Sequence, residues 1–208
     1  MQKKDANAII LWGSAWGLAE ATLGYVFHAL NLYVAGIAGF FMFPIACYFL
    51  NRVYIQTGKL NSIIYTSSIA AVIKLTDLLI PSVVFIHVIN PAFSIIIEGL
   101  AVFAALTILE RKSLILTYGG AFAVCISWRI SFVLLFMLPT YLLHIAPMMK
   151  NESLIRFFFV ESLINGLIIY LYIRTTESKS RAILGYNSIK PAFSFSLLAL
   201  AFFAQWMI

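Results

Sequence analysis

Long apolar segments, separated by short polar connections, dominate the chain. Seven of them approach the roughly 20 mostly apolar residues that a helix needs to cross the hydrocarbon core of a membrane. These segments are 8–30, 33–54, 62–80, 88–109, 114–138, 154–173 and 191–208. No segment alternates apolar and polar residues with period two, as the strands of a β-barrel would. The pattern predicts an all-α integral membrane protein, a single domain (1–208) built as a bundle of six to seven transmembrane helices.

Composition supports this prediction. Of the 208 residues, 62% are hydrophobic and only 11% are charged, with a mean hydropathy of +0.97. Soluble domains are about half apolar and a quarter charged. The net charge of +6 is spread over several short connections, without a basic run interleaved with aromatic residues. We therefore expect the chain to contact membrane lipid and not to bind nucleic acid.

Basic residues fix the expected orientation. Connections on the same side as the N-terminus hold ten Lys and Arg residues, and those on the opposite side hold two. Cytoplasmic loops are enriched in Lys and Arg. We therefore expect a multi-pass plasma-membrane protein with a cytoplasmic N-terminus, and an external C-terminus if all seven segments span. The ten are Lys3, Lys4, Arg52, Lys59, Arg111, Lys112, Arg174, Lys179, Arg181 and Lys190, against Lys150 and Arg156.

Six ionisable residues fall inside the apolar segments. Each costs about 2.5–3.5 kcal/mol at a helix centre, so they must face the protein interior or a wet cavity. In the expected orientation all six lie between the membrane midplane and the outer surface. This one-sided distribution predicts a pocket that opens to the outside. The six are Glu20, Lys74, Asp77, Glu98, Arg129 and Glu161.

Pairing among these charges leaves alternatives open. Lys74 and Asp77 are three residues apart, so they can neutralise each other on one helix face or contact a ligand. The three remaining carboxyls outnumber Arg129, the remaining base. The carboxyls left over would be protonated or would meet a cationic or hydrogen-bonding ligand. Arg129 is a candidate for binding an anionic group of a ligand, because a guanidinium forms bidentate pairs.

Uncharged polar residues and histidines extend the candidate ligand site. Asn90 and Asn165 offer polar contacts, although Asn90 could equally cap the fourth helix. His28, His87 and His144 fall at the outer face, and the first two are included in the candidate site. A shared metal is open, but no HxH or HxxxH spacing supports it. No resident cofactor is expected.

A small-residue motif lies on the first segment. The stretch AWGLA places Ala15 and Ala19 four residues apart, beside Gly13 and Gly17. Such spacing lets another helix approach closely, either within the bundle or from a partner.

The chain resembles the substrate-binding S components of energy-coupling factor (ECF) vitamin transporters, whose first helix carries an A-x-x-x-A type motif. The resemblance implies six helices and capture of a vitamin or metal from outside. It also implies that Ala15 and Ala19 dock on a transmembrane coupling subunit driven by paired ATPases. The chain has no Walker A motif of its own, and its seventh segment departs from the family.

Three functions are therefore considered. The leading one is a non-enzymatic uptake subunit that captures a small polar molecule, such as a vitamin, cofactor precursor or metal, and delivers it with ATPase-driven partners. One alternative is a membrane redox, haem-binding or enzyme subunit that uses the outer histidines and buried carboxylates, although no HExxH, GxSxG or CxxC motif is present. The other is an autonomous ion-coupled transporter with Glu98, Asp77 and Lys74 as its relay.

Overall fold

The computed structural model describes residues 3–30, 37–81, 83–180 and 190–207. The side chains of Tyr25, His28, Ala29 and residues 177–180 lie outside the described part, so the hypothesis on His28 does too. Every regular element in the described residues is helical.

The helices follow the predicted segments closely. We number them α1 to α7 in chain order. Helix α1 comprises Lys3–Ala19, a π-helical turn Glu20–Gly24 and Tyr25–Leu30; α2 is Ile37–Thr57; α3 is Asn61–Leu79, ending in the 3₁₀ turn Thr76–Leu79; α4 is Phe85–Arg111; α5 is Tyr118–Leu142, with a π turn at Val133–Met137; α6 joins Asn151–Ile155, the π turn Arg156–Val160 and Glu161–Ser180; and α7 is Pro191–Met207.

Helices α2 to α6 are long and apolar enough to cross a membrane, and α7 is a shorter apolar helix. Together with the all-helical fold, this indicates a multi-pass membrane protein. The largest boundary difference is at the end of α6, Ser180, which lies seven residues after the predicted 173. Helix α5 begins at Tyr118 and ends at Leu142, four residues later at each end than the predicted 114–138. Helix α4 begins at Phe85, after Val84 in extended conformation. Asn90 therefore lies in the second turn of α4 and is not its cap.

The helices pack around α2. Helix α2 contacts α1, α3, α4 and α6. Around it, α1 packs on α3, α3 on α4, α4 on α5 and α5 on α6, and α7 lies against α1 and α3. Each long helix thereby has neighbours that can enclose polar side chains away from lipid.

Large side chains fill the interior and also cover the surface. Trp16, Phe43 and Trp128 are buried in the core, whereas Leu142 and Phe203 are among many large apolar side chains that remain exposed. Lipid tails are about as apolar as these side chains, so the hydrophobic effect contributes little to association between helices inside a membrane. Close packing therefore supplies much of the free energy of helix association.

Glycines create the closest helix contacts. A Cβ at Gly13 would lie 2.8 Å from Ile69 Cβ, and one at Gly17 would lie 2.6 Å from Ile73 Cδ1. These two glycines, four residues apart, therefore let α1 pack tightly on α3. Ala15 and Ala19 are only half-buried, so the two small-residue pairs of α1 differ in their surroundings.

Candidate functional site

A ladder of polar side chains runs along one face of α4. Asn90, Ser94 and Glu98 are four residues apart, so they lie one above another on the helix. Asn90 is exposed and Ser94 is half-buried, whereas Glu98 is only 2% exposed. Ser94 Oγ donates a hydrogen bond to Glu98 Oε1 at 3.1 Å, and Glu98 Oε2 is buried without a hydrogen-bond partner among the described residues. The ladder leads from the surface to a buried carboxyl.

This ladder forms one wall of a cavity of about 110 Å³, which we name the carboxylate cavity. Glu20 of α1 supplies its second carboxyl. Gly39 of α2 keeps it open, since a Cβ there would approach Trp128 Cη2 to 3.3 Å. The remaining lining is mainly apolar: Ala38, Met42, Pro91, Trp128, Phe132, Met149 and Phe157. The cavity thus combines a few convergent polar groups with aromatic and methionine walls, as small-molecule sites do.

The position of Glu20 depends on a local irregularity of α1. Glu20 is buried and begins the π turn, which inserts an extra residue into the helix. One turn later, Gly24 leaves room for the carboxylate, because a Cβ there would lie 2.8 Å from Glu20 Oε2. Glu20 is within electrostatic range of Lys74 and Glu98.

Arg129 lies behind the aromatic wall of the carboxylate cavity. It is 0% exposed, and its Cζ lies 4.7 Å from the Trp128 ring centroid and 5.2 Å from that of Phe157. Its Nη1 donates to the Cys125 carbonyl at 3.1 Å, and its Nη2 lies 3.6 Å from Glu161 Oε2. The guanidinium therefore faces Glu161 and does not line the cavity that contains Glu20 and Glu98.

Two further predicted residues lie on α6. Buried Glu161 directly follows a π turn, and its Oε1 accepts from Arg156 Nε at 3.3 Å. Asn165 follows one turn later, and neither polar atom of its buried amide has a hydrogen-bond partner within the described part of the chain. Neither residue lines the carboxylate cavity.

Lys74 and Asp77 form an ion pair where α3 meets α7. Lys74 Nζ lies 2.7 Å from Asp77 Oδ2, and both side chains are largely buried. The amide of Gln205 on α7 faces the same carboxylate. Oriented to satisfy both groups, it donates to the two oxygens at 2.9 and 3.2 Å. The geometry favours the self-neutralising pair, tied to α7, over a contact with the cavity.

The two histidine side chains that the structure describes lie at the surface. His87 is exposed on the first turns of α4, and His144 is exposed in the connection after α5, with a φ of 56°. Among the described residues, no three His, Cys, Asp or Glu side chains lie close enough together to hold a metal ion.

A second cavity, of about 440 Å³, lies at the other end of the bundle, near the basic connections. We name it the basic-end cavity. Its lining is mostly aliphatic, from α2, α4, α5 and α6, with Cys47 and Asn51 among its members. Tyr54 donates a hydrogen bond to Glu110 at its rim.

Sequence reasoning missed Ser94 and Gln205, because it considered mainly ionisable residues inside apolar segments. The spacing of Asn90, Ser94 and Glu98, four residues between neighbours, is the signal that would have found Ser94. Gln205 is a single amide in a strongly apolar helix, which is a second such signal.

In comparisons with known proteins, no family model matches the chain, and neither a curated protein nor a solved structure is significantly similar to it.

Proposed function

We propose that this protein is an uptake subunit that captures a small polar molecule from outside the cell in the carboxylate cavity. The observation that carries the proposal is the ladder from exposed Asn90 to buried Glu98. At its base, one carboxyl oxygen has no hydrogen-bond partner in the part of the chain that the structure describes. A buried, unsatisfied polar atom is costly, and a ligand that donates a hydrogen bond would remove that cost.

Orientation supports access from outside. Asp5 and Lys59 pair at 2.6 Å, which joins the start of α1 to the α2–α3 connection. Tyr54 bonds Glu110 beside Arg111 and Lys112, so a second basic connection lies at the same end. By the positive-inside rule this end is cytoplasmic. The carboxylate cavity lies at the opposite end and would then open outward, in the plasma membrane.

The proposal includes seven spanning helices. Residues 3–30 of α1 extend for about 42 Å, and the 17 residues of α7 for about 26 Å. The second length approaches the roughly 30 Å of the hydrocarbon core. Because α7 packs along α1 and α3, it has the partners that a spanning helix needs.

Delivery would require other proteins. The resemblance to ECF S components assigns this step to a transmembrane coupling subunit and its ATPases. Ala15 and Ala19 are half-exposed, whereas Gly13 and Gly17 are buried against α3. The alanine pair is therefore the part of the motif available to a partner helix.

Identifying the bound molecule tests capture directly. The protein would be purified in mild detergent, and small molecules released by denaturation would be identified by mass spectrometry. Ser94→Phe fills the carboxylate cavity and is expected to abolish retention. Ala105→Phe, which fills the basic-end cavity on the same helix, is the matched control and should retain the molecule. Equal retention by folded Ser94→Phe would reject the proposed site.

Cysteine labelling tests the orientation. His87→Cys and Lys112→Cys, each in a chain with Cys47 and Cys125 replaced by Ser, place single exposed thiols at opposite ends. A membrane-impermeant maleimide should label the first in intact cells and the second only after permeabilisation. The reverse result would overturn the outward-facing cavity.

A further inference from the structure

We infer that the molecule held in the carboxylate cavity carries a positive charge, as a small organic ammonium compound. This inference rests on the proposed function for the location of the site and adds the chemical class of the ligand. Two carboxyls, Glu20 and Glu98, line one cavity, and no basic side chain of the described residues contributes to it.

The nearby bases are engaged elsewhere. Lys74 pairs with Asp77 at 2.7 Å, and Arg129 lies 3.6 Å from Glu161. Among the described residues, neither Glu20 nor Glu98 has a basic partner within 4.0 Å. Lys74 and Arg129 act on the two carboxyls only from beyond ion-pair distance. A cation in the cavity would supply a direct partner, whereas an anion would face two carboxyls.

Glu98 adds a directional requirement. Its Oε1 accepts from Ser94, whereas its buried Oε2 accepts from no group of the residues that the structure describes. An ammonium N–H would supply a charge-assisted hydrogen bond, which is roughly twice as strong as a neutral one. For a fully substituted ammonium, the carboxylate would supply charge alone.

The walls favour an organic cation over a bare metal ion. Trp128, Phe132 and Phe157 offer aromatic surface, and Met42 and Met149 offer thioethers. Aromatic rings attract ammonium groups, whereas hard cations select sites with six or more oxygen ligands. A volume of about 110 Å³ also exceeds what one dehydrated ion fills.

The same volume limits the size of the ligand. Sites for drug-sized molecules have volumes of about 300–1,000 Å³, several times that of the carboxylate cavity. The cavity therefore accommodates a compact amine of a few non-hydrogen atoms, or the ammonium group of a molecule whose remainder extends past Asn90 to the surface.

Matched probes separate charge from shape. Choline and 3,3-dimethylbutan-1-ol have the same shape, with nitrogen replaced by carbon, and 3,3-dimethylbutanoate is the anionic counterpart. Binding to the purified full-length chain would be measured by calorimetry and thermal shift, with ethylammonium as a smaller probe. We expect choline or ethylammonium to bind at least tenfold more tightly than the neutral and anionic probes.

Glutamine variants test whether the preference for a cationic probe arises at the carboxylate cavity. Glu98→Gln and Glu20→Gln should each reduce the preference for the cation at least tenfold. Glu110→Gln, on the same helix at the basic-end cavity, should leave it unchanged. Loss of the preference in Glu110→Gln as well, or its retention in both cavity variants, would overturn the assignment.

The remaining outcomes are also decisive. Equal binding of choline and its neutral isostere, or tighter binding of the anion, would overturn the inference while leaving the proposed capture intact. Stabilisation by potassium or sodium chloride equal to that by choline would overturn the organic class. If none of the probes binds, the charge of the molecule that co-purifies with the protein decides: a cation lost in Ser94→Phe supports the inference, and a neutral or anionic molecule lost in that variant rejects it. Absence of any retained molecule would instead reject the proposed function.

Discussion

The carboxylate cavity and the basic-end cavity share walls from α2, α4, α5 and α6, and the carboxylate cavity also includes Glu20 of α1. They differ in where their polar groups lie. The basic-end cavity is the larger, and its carboxylate, Glu110, lies at the surface. The carboxylate cavity has about a quarter of that volume, about 110 against 440 Å³. Its carboxyls are buried, with Arg129 fully buried behind the wall.

This difference shows why size alone is a poor guide to function. An aliphatic cavity between membrane helices costs little polar desolvation, and lipid chains can fill it. Burying carboxyls and a guanidinium in a membrane is expensive unless each is paired or serves a ligand. The π turns reinforce the contrast, since Glu20 begins one and Glu161 directly follows another. Single π turns inside α-helices are frequent at functional sites.

Replacing the buried arginine should give the largest effect. Arg129→Leu removes the buried one of the two basic partners of Glu161, as well as the cation stacked on Trp128 and Phe157. We expect the free energy of unfolding to fall by about 3–5 kcal/mol, as when one partner of a buried pair is lost. Denaturant titration in mixed micelles measures this quantity.

Arg174→Leu is the matched control at the basic end. Arg174 is exposed and stacks on Tyr170, with its Cζ 5.6 Å from the ring centroid. An exposed cation–π contact contributes only about 0.5–1 kcal/mol. Comparable losses in the two variants would mean that the two ends of the bundle do not differ in polar burial.

Substituting the glycine beside Glu98 should give the next largest effect. A Cβ at Gly99 would lie 2.4 Å from Ser67 Oγ and 2.6 Å from Ser67 Cβ, so α3 and α4 would have to separate. Gly99→Ala should cost about 1–3 kcal/mol of unfolding free energy, as overpacking does. It should also displace the polar ladder and weaken ligand binding.

Gly119→Ala provides the control at the basic end of the bundle. The nearest atom to a Cβ there is Thr117 Oγ1 at 4.0 Å, so no clash arises. Thermal unfolding in detergent should separate the two variants clearly. If Gly99→Ala unfolds like the wild type, the close packing of α3 on α4 is not rigid.

Removing one hydrogen bond at each cavity should give a smaller difference in unfolding free energy. Ser94→Ala leaves the buried Glu98 Oε1 without its donor, and we expect a loss of about 1–2 kcal/mol. Tyr54→Phe removes a donor from Glu110, whose exposed carboxylate regains water, so the loss should be nearer about 0.5 kcal/mol. Denaturant titration of both variants makes the comparison, and a larger loss for Tyr54→Phe would contradict it.

Much of the fold was predictable because apolar run length reports directly on membrane spans. The boundaries of α3 and α7 fall within about one residue of the predicted 62–80 and 191–208. The π turns were not predictable, since the sequences EATLG, VLLFM and RFFFV contain no feature that distinguishes them from ordinary helix. Yet these turns set the faces on which neighbouring polar side chains lie.

The membership of the candidate site was predictable only in part. Intramembrane charge identified Glu20 and Glu98, but it could not separate them from Lys74, Asp77, Arg129 and Glu161, which pair with one another or with Arg156 and Gln205. Which charges pair depends on contacts between helices that are distant in sequence. The expected depth of Asp77 in the membrane had grouped it with the pocket. Its contacts are instead with Lys74 of α3 and Gln205 of α7.

The smallest effect is expected at the exposed salt bridge of the basic end. Lys59 pairs with Asp5 at 2.6 Å, but the Lys59 side chain is 51% exposed. Lys59→Met should lower the free energy of unfolding by less than about 0.5 kcal/mol, the lower part of the range for exposed ion pairs. The loss should shrink further at high salt because exposed charges are screened.

The Lys74–Asp77 pair tests whether burial, and not the distance between the charged atoms, determines how much an ion pair contributes to stability. Its distance of 2.7 Å nearly equals that of the Lys59–Asp5 pair, yet its side chains are only 13% and 10% exposed. Lys74→Met should therefore destabilise the protein more than Lys59→Met, and by an amount that salt hardly changes. Denaturant titrations of both variants at low and high salt provide the measurement. If the two losses were equal and equally screened, water would reach Asp77 as freely as it reaches Lys59. Polar groups on α3 would then be no better buried beside α7 than at the basic end of the bundle, contrary to the proposed difference between the two regions.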